Sequence, residues 1–252
     1  MPKQLLIYDT PVALSAARHH DVSVDAAAGY SFSAGINAAP LMTVEMVHAA
    51  AEYAIVFTGS GDSVVPVTVL GMRNQQNLFL SPASEWRAEY VPAFLRCYPF
   101  VFAASADHQT VTLCIDESHA GVNRENRGQR LFDADGKPSA YTHGMLKFLQ
   151  EYQRQFERTK LFGKHLAAHN LLEPMRAEIS TPDGEKTSLG NFMAVSRPRL
   201  RELGAESLCE LARTDELELI YLHLYSMRNF KDIKARLMSS IVTEAPEAAT
   251  TA

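Results

Sequence analysis

The tetrapeptide Asp116-Glu-Ser-His119 combines two carboxylates, a hydroxyl and an imidazole directly after an apolar segment of β type. Functional residues often lie where a strand ends in a loop, and a carboxylate beside a histidine can tune a general base. Asp116, Glu117 and His119 are therefore the candidate catalytic residues. The alternative is that Asp116 and Ser118 only turn the chain, and we favour it because no nucleophile motif accompanies them.

A second group near the N-terminus, His19, His20 and Asp21, has the side chains of a metal site. Two histidines and one carboxylate can bind iron, here with a distant residue such as His119. Adjacent histidines on a strand point to opposite faces, so both can bind one ion only if the chain bends. The simpler interpretation is a polar segment, and we predict no cofactor, with a metal as the less favoured alternative.

The segment Trp86–Phe100 contains the only tryptophan and the densest run of aromatic residues. Its Arg96 can stack on a ring or bind a carboxylate through two hydrogen bonds. We take Arg96, Trp86, Tyr90 and Tyr98 as candidate residues for binding a ligand or partner. The alternatives are a structural ion pair for Arg96 and a helix face buried in the core for the aromatic residues, which recur every four residues.

The composition of the chain excludes several classes of protein. Its 252 residues are 46% hydrophobic and 21% charged, which is typical of a soluble globular protein. A net charge of -5 gives no electrostatic signal for nucleic acid or an anionic membrane. No stretch approaches the ~20 apolar residues of a membrane span. We therefore expect a protein or small-molecule ligand, and a homo-oligomer is left open.

The cysteines and the N-terminus both favour the cytoplasm. Cys97, Cys114 and Cys209 are odd in number and far apart, which argues against a disulfide framework and against a thiolate zinc site. The apolar run before Asp9 has four residues and is too short for the core of a signal peptide. We accordingly expect a cytoplasmic protein.

The pattern of β-branched and aromatic residues predicts antiparallel strands around the tryptophan segment. The first three expected strands are 55–58, 64–70 and 78–80, and a second hairpin formed by 100–105 and 110–115 extends the same sheet. Pro66 has no backbone N–H, so the second strand is expected at the sheet edge or with a bulge. Residues 116–137 are expected to form a long surface loop.

Apolar residues at helical spacing predict a short helix at 43–53 and a long one at 139–170, either continuous or broken near Gly163. A further helical turn or two is expected at 85–96, where Pro92 either opens the last helix or kinks it.

The last third of the chain predicts a smaller module. Its expected elements are strands at 174–180 and 186–195, a helix at 198–211, a strand at 216–225 covered on both faces and a basic helix at 230–238. The fold class is therefore α+β, a mainly antiparallel sheet with a long helix and a smaller mixed C-terminal module. The expected domains are 1–170, 171–240 packed on it, and a disordered tail, 241–252.

The chain resembles the SapC family of bacterial proteins over nearly its full length. The most specific part is Trp86–Phe100, although Cys97 stands where the family usually has a second basic residue. The other segments that carry the resemblance are Arg18-His19, Pro40-Leu, Glu45, Tyr53–Phe57, Val69–Met72, Asn77–Phe79, Cys114–Ser118, Gly128–Asp133 and Leu219–Ser226.

The resemblance implies an accessory role and supplies no catalytic residue. Related proteins are linked with outer-membrane TonB-dependent uptake systems and with proteins like flavin-dependent halogenases. We predict a non-enzymatic binding or accessory protein. The first alternative is a metal-dependent enzyme that modifies a protein or peptide, with Asp116, Glu117 and His119 near its site, and the second is a surface-layer component.

Overall fold

The computed structural model describes residues 7–104, 111–180 and 186–244 of the chain. The strands are β1 (Pro11–Ala13), β2 (Ser23–Val24), β3 (Ala38–Pro40), β4 (Ile55–Thr58), β5 (Val65–Val69), β6 (Phe100–Ala104), β7 (Val111–Asp116), β8 (Val122–Asn123), β9 (Gln129–Arg130), β10 (Leu172–Ser180) and β11 (Lys186–Val195). The α-helices are α1 (Ala16–His19), α2 (Met46–Ala49), α3 (Ala93–Cys97), α4 (Ala140–Ala168), α5 (Arg197–Arg201), α6 (Ala205–Arg213), α7 (Glu216–Ser226) and α8 (Phe230–Glu244). All described strand pairs are antiparallel, so the predicted α+β class is confirmed.

The chain divides into two compact units that are not continuous in sequence. The first unit comprises the residues up to Ala34, Leu80–Trp86 and Ala93–Gln155. The second comprises Gly35–Phe79, Arg87–Pro92 and the residues from Phe156 onward. Helix α4 supplies residues to both. The domains expected from sequence, 1–170 and 171–240, are each continuous in sequence and so differ in kind from these two units. The boundary expected near residue 170 stays a prediction.

The first unit contains two small sheets, with strand orders β1-β7-β6 and β8-β2-β9. The predicted hairpin β6–β7 is present, but its expected addition to the sheet of β4 and β5 is wrong, because β6 and β7 form a separate three-stranded sheet with β1. The expected surface loop 116–137 is also partly wrong, since it contains β8 and β9, which pair with β2. The core of this unit includes Val22, Phe100, Ile115, Leu131, Phe132 and Leu149.

The second unit is built on a five-stranded sheet with the order β10-β11-β4-β5-β3. The expected edge position of β5 is wrong, because β5 pairs with β4 on one side and β3 on the other. Pro66 is accommodated because the register with β3 begins only at Val67, and the Pro66 carbonyl accepts a hydrogen bond from Leu41 at 3.0 Å. The strand expected at 78–80 is wrong as well, since only Leu80 forms an isolated bridge.

The segment 216–225 is the largest error of the sequence analysis, because it forms helix α7 and not a strand. Its buried side chains Ile220, His223 and Ser226 recur every three residues, the spacing of one helix face. The Ser226 hydroxyl accepts a hydrogen bond from the Ile55 N–H at 3.0 Å, and His223 Nδ1 lies 2.8 Å from the Ile55 carbonyl. Two side chains of α7 thus satisfy both backbone groups of one residue of β4.

Helix α4 is continuous, and Gly163 does not interrupt it. A Cβ atom at Gly163 would lie 1.9 Å from the Val64 carbonyl oxygen, so glycine is required by the close approach of helix and loop. Helix α3 begins directly after Pro92, which therefore opens the helix. Helix α8 extends into the expected tail as far as Glu244, and residues 245–252 lie outside the described residues, as does the expected turn at 182–184.

None of the described helices combines the length and the apolar character that a membrane-spanning helix requires.

Candidate ligand-binding site

Six ring-bearing side chains gather in the first unit and form what we call the aromatic cluster: Tyr8, Tyr30, Phe32, Trp86, Tyr98 and His119. The Tyr30 ring lies 5.6 Å from Trp86 and 5.9 Å from Phe32, measured between centroids. The Phe32 ring lies 4.2 Å from Tyr98, which contacts Tyr8 and His119, each at 5.1 Å. The rings therefore form a connected chain of contacts, at separations typical of favourable aromatic pairs.

Backbone contacts fix the segment that carries Tyr30. The Tyr30 N–H donates a hydrogen bond to the Ser84 carbonyl at 2.9 Å. Gly29 has φ 72°, and a Cβ atom there would lie only 2.9 Å from the same carbonyl oxygen. Glycine is therefore needed at this turn, and the turn holds Tyr30 beside the segment that ends in Trp86.

Arg96 brings a positive charge to this part of the first unit. It is an exposed residue of α3, and its guanidinium carbon lies 5.2 Å from the centre of the Phe148 ring. Burial raises the pKa of Tyr30, and the charge of Arg96 opposes that rise, so the two side chains act on one another electrostatically. Tyr30, Phe32 and Trp86 are half-buried, which leaves part of each ring accessible.

The Asp116 carboxylate adjoins the cluster and is fully buried. Its oxygens accept hydrogen bonds from the Asp9 N–H at 2.6 Å, the Ser118 hydroxyl at 2.7 Å, the Ser118 N–H at 3.0 Å and the Thr10 N–H at 3.4 Å. Burial acts to raise the pKa of Asp116, but these hydrogen bonds outweigh it and lower the pKa below its ordinary value. The arrangement is the chain turn that the sequence analysis favoured for Asp116 and Ser118.

The other two candidate catalytic residues have different environments. His119 lies edge-on to Tyr98, its Nδ1 accepts the Gly121 N–H at 3.2 Å, and burial lowers its pKa. The Glu117 carboxylate is held by Arg18 through two hydrogen bonds of 2.9 and 2.5 Å, and hydrogen bonding to Arg18 lowers its pKa. Glu117 is thus engaged by a cation, whereas His119 belongs to the aromatic cluster.

The candidate metal ligands do not converge on one point. His19 belongs to α1, is buried, and places Nε2 3.1 Å from Glu117, so the strand assumed for this segment is wrong. His20 is exposed, and Asp21 forms an ion pair with Arg124. Within residues 7–104, 111–180 and 186–244, no three His, Cys, Asp or Glu side chains are arranged so that they could hold a metal ion.

Tyr90 belongs to the second unit, unlike the other candidate binding residues. Its hydroxyl donates to Glu45 at 2.8 Å, its ring stacks on His48 at 5.5 Å, and its N–H donates to Glu52 at 2.9 Å.

The expected helical stripe of aromatic residues is wrong, because α3 is the only described helix between Trp86 and Tyr98. Burial raises the pKa of Tyr98, whose hydroxyl has Ser118 and Asp116 as hydrogen-bonding neighbours.

A family model decides the classification of the chain. The SapC model matches residues 14–233, which is most of the sequence. The chain belongs to the SapC family. A search of curated proteins and a search of solved structures found no significant match.

The sequence analysis of this SapC-family chain missed Tyr8, Tyr30 and Phe32, which join the predicted residues into one cluster. The available signal was weak: Tyr30 and Phe32 are the only aromatic residues in the small-residue stretch 25–35. Two rings in such a stretch have little local apolar surface to pack against, so they must find partners elsewhere in the chain. That argument predicts that Tyr30 and Phe32 pack against other residues, but it does not identify Trp86 and Tyr98 as those residues.

Proposed function

We propose that this SapC-family chain is a non-enzymatic binding protein that holds a protein partner with its aromatic cluster and Arg96. The observation that carries the proposal is that the half-buried rings of Trp86 and Tyr30 contact each other and that the exposed cation Arg96 acts electrostatically on Tyr30. Tryptophan, tyrosine and arginine are the residues most enriched in binding hot spots. Rings that are already packed against one another lose little conformational entropy when a partner binds.

The carboxylates of Asp116 and Glu117 are already hydrogen-bonded within the chain, which favours a binding function over general acid–base catalysis. Asp116 accepts four hydrogen bonds, and Glu117 is bound by Arg18 and His19. Both pKa values are lowered, whereas a general base works best with a pKa near the operating pH. These contacts support the structure around the cluster, and the cluster supplies the surface that binds.

The family resemblance suggests the biological setting of this binding. A partner that serves TonB-dependent uptake is the class it implies, and the cytoplasm stays the predicted location of the chain. The cluster residues Arg96, Trp86 and Tyr98 are the proposed contacts. Tyr90, in the second unit, stays a separate prediction.

The sole tryptophan makes the proposal directly measurable. The full chain is used to capture partners from the native cell extract, the captured protein is identified by mass spectrometry, and the purified partner is titrated while Trp86 emission is recorded. The Trp86→Phe variant is the blank for the emission of the partner. We expect a saturable change in Trp86 emission, because the indole ring belongs to the proposed contact surface.

Arg96→Ala is expected to weaken the measured affinity about tenfold, as the loss of a contact worth more than 1 kcal/mol would do. Arg127→Ala, which removes an exposed arginine paired with Glu125, is the control and is expected to leave affinity unchanged. Thermal unfolding of each variant shows whether the fold is intact. A partner that binds Arg96→Ala as tightly as the unaltered chain, without a change in Trp86 emission, would contradict the proposal.

A further inference from the structure

Helix α7 carries an exposed stripe along the face opposite its buried residues. The stripe consists of Glu218, Tyr221, Leu222, Tyr225 and Arg228, and we call it the α7 stripe. Tyr221 and Tyr225 are 54% and 49% exposed, and Glu218 and Arg228 are exposed as well. Intervals of three and four residues place all five on one side of the helix and of the turn that follows it.

Apolar side chains of neighbouring elements widen the stripe into a surface. Val44 and Val47 are 54% and 55% exposed and line, with Leu219 and Leu222, a groove of about 220 Å³. Leu161 of α4, one turn beyond the groove residue Arg158, is also more than half exposed. Most of the large exposed hydrophobic side chains in the described chain lie here, and a patch of this kind marks an interaction site.

The charges at the two ends of the stripe have opposite signs. Glu218 lies at the N-terminal end, and Arg228, which covers the Tyr225 ring at 4.1 Å, lies at the C-terminal end. Neither forms an ion pair with any residue of the described ranges. The two charges are five residues before and after His223, and Tyr221 and Tyr225 are two residues before and after it.

We propose that the α7 stripe binds the same stripe of a second copy of this chain, with the two helices antiparallel about a twofold axis that crosses the stripe at the level of His223 along the helix. A twofold interface must be self-complementary: if one residue contacts a second residue of the other copy, that second residue contacts the first in return. Antiparallel pairing places Tyr221 beside Tyr225 of the second copy and Glu218 beside Arg228 of the second copy. The opposite charges lie at equal distances from His223 along the chain, and so do the two tyrosines. A second copy needs this symmetry, whereas an unrelated partner protein does not.

Charge exchange on the full chain tests this pairing. Sedimentation equilibrium of the unaltered protein is expected to show a dimer of the 27.9 kDa chain. Glu218→Arg and Arg228→Glu should each raise the dimer dissociation constant about tenfold or more, because each creates two repulsive pairs per dimer. An equimolar mixture of the two variants should dimerise with the affinity of the unaltered chain, since every repulsive pair becomes an attractive one.

Glu206→Arg, at an exposed position of α6, is the matched control and should leave the dissociation constant unchanged. Tyr221→Ala should raise it about 30-fold, the loss expected at a hot spot. A chain that is monomeric at every concentration would overturn the proposal. So would a dimer that is insensitive to both single charge changes, or one that the mixture fails to restore.

Discussion

The His223→Ala variant is expected to lose about 3 kcal/mol of unfolding free energy near neutral pH, the cost of a buried residue whose hydrogen bonds are cut. The Val195 N–H donates to His223 Nε2 at 3.0 Å, and Nδ1 donates to the Ile55 carbonyl at 2.8 Å. The side chain therefore connects β11, β4 and α7. Alanine leaves both backbone groups buried without these partners.

The same geometry makes the contribution of His223 dependent on pH. A carbonyl can only accept, so Nδ1 carries the proton and Nε2 must stay unprotonated to accept the Val195 N–H. Burial lowers the pKa of His223 to about 4, with the charge of Arg197 acting in the same direction. An unfolded chain has a histidine pKa of about 6.5, so it binds protons more readily than the native state between these values.

Stability is therefore expected to be complete above pH 6.5 and to fall as the pH drops toward about 4. The interval corresponds to about 3 kcal/mol at roughly 1.4 kcal/mol per pH unit. Urea unfolding of the unaltered chain and of His223→Ala from pH 7.5 to 4 measures it. The difference between the two should shrink steadily with acidification, because the variant has no proton to take up at this site.

His143→Ala is the matched control, since His143 is exposed on α4. Its unfolding curves should follow those of the unaltered chain at every pH. A difference between His223→Ala and the unaltered chain that stays constant from pH 7.5 to 4 would mean that His223 does not titrate as its contacts require.

Local sequence patterns predicted the elements that are stabilised by their own neighbours. The hairpins β4–β5, β6–β7 and β10–β11 combine β-branched residues with short polar connections, and α4 repeats its apolar residues over many turns. The strand expected at 216–225 failed for a physical reason. A segment that is apolar on every side can be buried as a strand or a helix, and periodicity alone does not separate the two.

Segment 216–225 was also expected to be covered on both faces, and helix α7 is covered on one face only. Ile220 is fully buried, but Tyr221 and Tyr225 are about half exposed. Val44 and Val47 are among the apolar residues whose helical spacing predicted the helix at 43–53, and both are more than half exposed. Sequence reports that a residue is apolar; whether another element covers it depends on tertiary packing.

The candidate site was predictable in its parts and not in its assembly. Trp86, Arg96 and Tyr98 were singled out as binding residues, and Asp116 and His119 as catalytic ones, from separate local arguments. In the structure, ring contacts join Trp86, Tyr98 and His119 to Tyr30 or Phe32, which come from a distant segment of the chain. Arg96 acts electrostatically on Tyr30, and Asp116 is a hydrogen-bonding neighbour of Tyr98. Contacts across so many residues leave no periodic signal in one sequence, so the grouping required the fold.

Replacing Asp116 with alanine is expected to lower the unfolding free energy by about 3 kcal/mol, because three backbone N–H groups lose their acceptor at a buried position. Those groups belong to Asp9, Thr10 and Ser118, so the carboxylate joins the entrance of β1 to the end of β7. Asp116→Asn should cost less, since an amide oxygen can still accept on the side of Thr10 and Ser118, while its NH₂ group faces the Asp9 N–H.

The contribution of Asp116 also falls as the pH falls, but for a different reason from that of His223. Hydrogen bonds favour the charged form of Asp116, whereas burial disfavours the charged form of His223. The pKa of Asp116 is lowered in the native state, so its contribution is present above the unfolded value of about 3.9 and is lost as the pH falls through the native pKa. Urea unfolding at pH 7, 5 and 3 measures it. The deficit of Asp116→Ala should be the same at pH 7 and 5 and smaller at pH 3.

Asp133→Ala is the control that isolates burial. Asp133 also accepts two backbone N–H groups, from Asp135 at 3.0 Å and Lys137 at 2.8 Å, but it is exposed, so water can replace the carboxylate. Its loss should be under about 1 kcal/mol. Equal losses for the two variants would refute the structural role assigned to Asp116. If Asp116→Ala lowers stability and Arg96→Ala lowers only affinity, the carboxylate supports the aromatic cluster and the arginine contacts what the cluster binds.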